Sequence, residues 1–261
     1  MSILDTLVSV YARTFAVCRR LAQVSVLWFF LALVGEILRR SGESAAGGAV
    51  SVLALMGMLL HLIAALSGWY FAHCSLYKPN EKITLLPTLT QFKFIGVQAL
   101  NVILLGAVSG VIVGVLGLFW IHDIGSRTQE EIQNGAQSAS FFGMPFVLLI
   151  FGRLLLMAPS MVRNQKQSFR VSWKATKGRT LRLFMLQLGC LIPTGGAESI
   201  AALLRAFDAP LIVPAVISVI GVFLSLWLYN RLAEDEYARF TGRAGSCASS
   251  RSPCSPSQSR R

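Results

Sequence analysis

Apolar positions in this chain gather into long blocks separated by short polar or basic stretches. A hydrocarbon core about 30 Å thick is crossed by roughly 20 apolar residues in a helix. Six blocks meet that length, at residues 21–38, 49–72, 94–120, 141–160, 181–204 and 211–230. The fifth is interrupted by Pro193-Thr194-Gly195-Gly196, and the sixth starts just after Pro210. Trp69, Tyr70, Trp120, Trp227 and Tyr229 fall near block ends, where an aromatic belt is expected. The pattern predicts an all-α polytopic membrane protein with about six transmembrane helices.

Composition strengthens that reading. Of 261 residues, 54% are hydrophobic and 14% charged, with mean hydropathy +0.60. Soluble domains carry about 25% charged residues. The net charge of +12 would suggest nucleic acid in a soluble protein, but in a membrane protein the placement of the bases matters first. Three Lys or Arg precede the first block, three lie in the second loop, seven in the fourth and six at the C-terminal end. The intervening loops hold two, one and one, so alternate regions collect 19 bases against 4, with Arg153 inside a block. This asymmetry predicts both termini on the cytoplasmic side and makes nucleic acid an unneeded partner. The first block follows Arg13, Arg19 and Arg20 without a small-residue cleavage site, and is expected to be retained as a span. Residues 1–240 are expected to form the membrane domain. The Ser-, Arg- and Pro-rich residues 241–261 are expected to be a disordered cytoplasmic tail.

The stretch SFRVSWKATKGRTLRLF, residues 168–184, is strongly basic. In a helix over 161–177, Arg163, Lys166, Arg170, Lys174 and Lys177 fall on one stripe, flanked by Phe169 and Trp173. Such a helix suits the membrane interface, with its rings in the headgroup region and its bases on anionic lipid. The plainer alternative is a positively charged loop that only sets topology. A specific phosphate-bearing ligand is a third. FGRLLLMAP (151–159) together with this stretch resembles bacterial inner-membrane proteins of the YciC-like and glycerophosphodiester-phosphodiesterase membrane-domain-like group. The resemblance rests on Arg153, Pro159, Ser172, Trp173, Thr176, Gly178, Arg182, Leu183 and Phe184. It implies a multi-span inner-membrane protein of uncharacterised role. Within these 261 residues the fused phosphodiesterase domain is not expected, and no enzymatic activity is carried over.

Among the polar residues inside the blocks, Arg153, Glu198 and His61 are the candidates for function. A buried charge in a span is a functional candidate by default, although Arg153 lies near enough to a block end to snorkel. Glu198 follows the Pro193 interruption, and a broken helix bearing an acid is one way transporters build a site. Depth along the helices argues against its pairing with Arg153. His61 reads as a packed polar residue, with a ligand or proton-relay role as the alternative. Gly106, Gly110 and Gly114 recur every four residues, a helix-packing spacing. The five cysteines form no CxxC, and no HExxH, GxSxG or phosphate-loop motif is present. No metal, cofactor or catalytic set is therefore expected. Two functions follow. One is a non-enzymatic membrane protein contacting anionic lipid and supporting a membrane protein partner. The other is a small-solute permease using Arg153 and a broken fifth helix.

Overall fold

The computed structural model describes residues 2–45, 51–77, 88–120, 145, 148–150, 152–163 and 169–249. Helices among them are α1 Ile3–Ala16, α2 Cys18–Ala45, α3 Val52–Tyr77, α4 Leu89–Trp120, α5 Met157–Val162, α6 Phe169–Ala175, α7 Thr180–Ala206 and α8 Ile212–Ser249. Four segments are long and apolar enough to cross a membrane: Cys18–Gly42, Val52–Tyr77, Thr180–Ala206 and Ile212–Thr241. They correspond to the expected first, second, fifth and sixth spans. The expected third span lies within α4, one continuous helix. The expected fourth overlaps an apolar stretch Leu148–Val162 that contains a turn at residues 155–156. The loop at 121–140 lies outside the described residues. So do the last twelve residues of the expected tail, whereas α8 itself continues past Thr241 to Ser249.

Two antiparallel hairpins, α2–α3 and α7–α8, form the body, and α8 is its central helix, packed on α1, α2, α3, α5 and α7. Lipid is as apolar as the side chains, so close packing and hydrogen bonds hold spans together. The crossing of α2 and α3 depends on small residues. A Cβ on Gly35 would lie 2.6 Å from the His61 backbone nitrogen, and one on Gly57 only 2.3 Å from that of Arg39. In the interior, Trp69 meets Phe94 and Tyr229 edge-on, with ring centroids 5.5 and 5.7 Å apart. Leu155, Leu186, Leu228 and Leu232 close around them.

The N-terminal helix α1 is not among the expected spans. Ser2 caps it: its hydroxyl accepts from the Asp5 N–H and the Asp5 carboxylate accepts from the Ser2 N–H, each at 3.0 Å. Those bonds hold the Asp5 carboxyl below its usual range. Thr6, Val10 and Thr14 turn inward, while Leu4, Val8 and Phe15 stay exposed.

The expected interruption of the fifth span does not occur. α7 runs unbroken through Pro193. Proline lacks an N–H, so the carbonyl four residues earlier, Gly189, loses its helical donor. The Tyr11 hydroxyl of α1 donates to that carbonyl at 2.8 Å. One residue on, Thr194 binds α8 through its N–H to Ser225 Oγ (3.1 Å) and its hydroxyl to the Gly221 carbonyl (3.2 Å). Partners from two other helices thus replace what proline removes.

Candidate functional site

Polar side chains concentrate at the two ends of the bundle. At the end where α1, α5, α6 and the start of α7 gather, α8 presents Glu234, Asp235 and Glu236 in succession. A helix sends consecutive residues to different sides, so each acid serves a different neighbour. Glu234, 8% exposed, takes both Nη atoms of Arg163 at the end of α5, with Nη1 at 3.2 Å from Oε1. The Arg163 guanidinium lies between the rings of Tyr77 and Tyr237, at 4.3 and 4.6 Å from their centroids. His73 Nδ1, fully buried on α3, lies 3.2 Å from Glu234 Oε1, and its Nε2 has no hydrogen-bond partner among the described residues. Asp235 faces Arg13 of α1 at 3.3 Å and Arg231 at 3.6 Å. Glu236 binds Arg239 at 2.6 Å and has Arg179 and Arg182 at 3.9 Å.

The expected single helix over 161–177 is instead α5 and α6. Residues 164–168, with Lys166, lie outside the described residues, as does the side chain of Arg170. The stripe is accordingly divided. Arg163 is drawn inward to Glu234, whereas Lys174 and Lys177 are exposed and make no ion pair among the described residues. Trp173 stands between these groups, 39% exposed. Arg153 lies 4.9 Å from the centre of its ring and donates to the Trp173 carbonyl at 3.1 Å. Ser172, fully buried, donates to the Arg153 carbonyl at 2.6 Å, and Thr176 donates back to the Ser172 carbonyl at 2.9 Å. Gly178, at φ +81°, makes the turn into α7 in a conformation that other residues rarely adopt. Each residue of the Ser-Trp-x-x-Thr-x-Gly pattern therefore has a local structural task. Arg153 belongs to this knot through its contacts with Trp173 and Ser172.

Glu198 and His61 meet at the other end. Glu36 of α2, 4% exposed, is bound by Arg39 through Nε (3.0 Å) and Nη2 (2.7 Å), and by Arg40 Nε at 2.5 Å. Arg40, itself buried, donates to Ser218 Oγ at 2.8 Å and lies 3.8 Å from Glu198. His61 Nδ1 is 3.2 Å from the Ala32 carbonyl and 3.8 Å from Glu36. Of the three polar candidates expected inside spans, Glu198 and His61 thus share one network, with Arg153 apart from it.

Among the described residues, a Cβ on Gly110 or Gly114 would meet nothing within 4 Å, and the surroundings of Gly106 lie outside the description. The tight helix contacts use Gly35, Gly57 and Gly221 instead. Among the described residues no three His, Cys, Asp or Glu side chains form a metal-sized group. Sequence reasoning missed Glu234, Asp235, Glu236 and His73. The available signal was three consecutive acids in a chain with only 12, placed beside its most basic regions. Comparisons with family models, curated proteins and solved structures return no match.

Proposed function

We propose that this is a non-enzymatic, six-span protein of a bacterial inner membrane whose α6 rests on anionic lipid at the cytoplasmic face. The four apolar helices make it an integral membrane protein; α4 and the stretch Leu148–Val162 would supply two further spans. The observation that carries the lipid contact is a division of labour among the bases. Arg163, Arg179 and Arg182 face acids of α8, whereas Lys174 and Lys177 remain outward beside the partly exposed ring of Trp173. An indole with two flexible cations suits the headgroup layer. The charge asymmetry of 19 against 4 bases supports the same face as cytoplasmic. The resemblance to YciC-like proteins agrees with it. Such a protein would organise lipid or hold a membrane protein partner.

The test uses the full chain in bilayer discs with an anionic phospholipid carrying a photoreactive headgroup. Adducts are expected on residues 172–180, and Lys174→Gln with Lys177→Gln should lower their yield, by about fivefold per base. A yield on that segment indifferent to both lysines would sink the lipid-contact reading.

A further inference from the structure

A groove of about 410 Å³ runs between α2 and α8, on the outward surface of two candidate spans. Its walls are Val26, Phe29 and Phe30 of α2 with Phe223, Leu224 and Trp227 of α8. Val26 and Phe30 remain 49% and 58% exposed, so nothing among the described residues covers it. Ser25 is the one hydroxyl-bearing residue in the lining, and its oxygen accepts from Trp227 Nε1 at 3.3 Å. The groove therefore offers a sugar, peptide or nucleotide almost nothing to bond, but it fits a hydrocarbon chain. From Ala22 to Phe30 its wall is about 12 Å long.

The end of the groove nearest the basic end of the bundle is charged. Arg19 precedes Ala22 by three residues and Val26 by seven, which places it on the groove-facing side of α2. It is exposed and has no ion pair or hydrogen bond among the described residues. Arg231 follows Trp227 by four residues on the same side of α8; its Nε is buried 3.6 Å from Asp235, while its side chain as a whole is 24% exposed. Asp235, the acid at this mouth, is shared by Arg231 and Arg13, so the mouth stays net positive.

We infer that the α2–α8 groove is a binding site for one anionic phospholipid, with an acyl chain along Phe29, Phe30 and Phe223 and its phosphate at Arg19 and Arg231. The inference rests on these helices spanning a bilayer, and not on the lipid contact of α6. Apolar lining, a volume of ligand size and cations at only one end together match a phospholipid's own division into tail and headgroup.

The full chain is placed in phosphatidylcholine discs containing a minority of phosphatidylglycerol with a diazirine in one acyl chain. Adducts are mapped by peptide mass spectrometry. Labelling should concentrate on residues 26–30 and 220–227, above the outward faces of α3 and α7. Arg19→Gln should reduce it by about fivefold, as should replacing the probe with its phosphatidylcholine counterpart. Val26→Trp, at a position 49% exposed, should block the groove and remove the excess labelling with Arg19 intact. Labelling spread evenly over all outward faces, or unchanged by Arg19→Gln, would overturn the site. So would labelling absent from the groove while Phe30→Cys forms disulfide-linked dimers, which would assign the groove to a second copy. Lys174→Gln and Lys177→Gln serve as the control that must leave the groove adducts unchanged, so the two lipid readings fail separately.

Discussion

The two ends of α8 bury carboxylates in opposite ways. Ser218 and Glu234 are about 24 Å apart along the helix, and each takes part in a charge network. At the Ser218 end, Glu36 is satisfied by its own helix: Arg39 and Arg40 are three and four residues away. At the Glu234 end, the partners are 71 and 161 residues distant, on α5 and α3. The first network stabilises a helix and then lends one arginine outward, through Arg40 to Ser218 and Glu198. The second is local only at its flanks, where Asp235 and Glu236 meet Arg231 and Arg239; the Glu234 pairs themselves exist only when three segments have assembled. An ion pair in low dielectric is expensive to form and far more expensive to leave half-made. The Glu234 pair therefore acts as a condition on the fold, while the Glu36 pair is available before tertiary packing.

The largest test of this contrast is Glu234→Gln. It leaves Arg163 between two tyrosine rings with no counter-charge and should cost about 3–5 kcal/mol in thermal unfolding of the detergent-solubilised chain. Replacing both Arg163 and Glu234 by Met should recover most of that loss, since a matched apolar pair avoids the desolvation cost. Failure of the double change to recover stability would mean that the tyrosines, and not the carboxylate, hold Arg163. Glu36→Gln should cost less, about 1–3 kcal/mol, because Arg40 retains Ser218 and Glu198 as partners. Equal losses from the two substitutions would remove the distinction between local and assembled networks.

The same contrast explains which parts were legible in the sequence. Spans read from apolar length, a local property, recur as α2, α3, α7 and α8. The Pro193 interruption was misread because its repair comes from Tyr11, 182 residues earlier in the chain. The stripe from Arg163 to Lys177 was misread for a similar reason, since Glu234 draws its first member inward. His73 and the acid triplet carried no local sign of their pairing. The α1 helix had a local sign, the Ser2–Asp5 capping pair, but is too short to register as a span.

The Tyr11 repair yields the next prediction in size. Tyr11→Phe leaves the Gly189 carbonyl without a donor and should cost about 1–2 kcal/mol at neutral pH. Burial lifts the Tyr11 phenol above the ordinary tyrosine range. A raised folded-state value gives a contribution that is full below the unfolded value and lost as pH rises through the folded one. The stability gap between wild type and Tyr11→Phe should thus persist to about pH 10 and close above it. A gap that stays constant through that range would mean that the hydroxyl does not cap Gly189.

The smallest effect is expected at Glu198, where the contrast is most exposed to failure. Glu198 has a 46% exposed side chain, and its oxygen is 3.8 Å from Arg40 Nη2. Arg40 already has Glu36 Oε1 at 2.5 Å and Ser218 Oγ at 2.8 Å, so its charge is met without Glu198. An exposed pair at that distance contributes up to about 1 kcal/mol, and salt screens it. Glu198→Gln should therefore shift the melting temperature little, and less still at high ionic strength. A loss as large as that from Glu234→Gln would show that Arg40 depends on a distant helix after all. The network at the Ser218 end would then be as much a product of assembly as the one around Arg163.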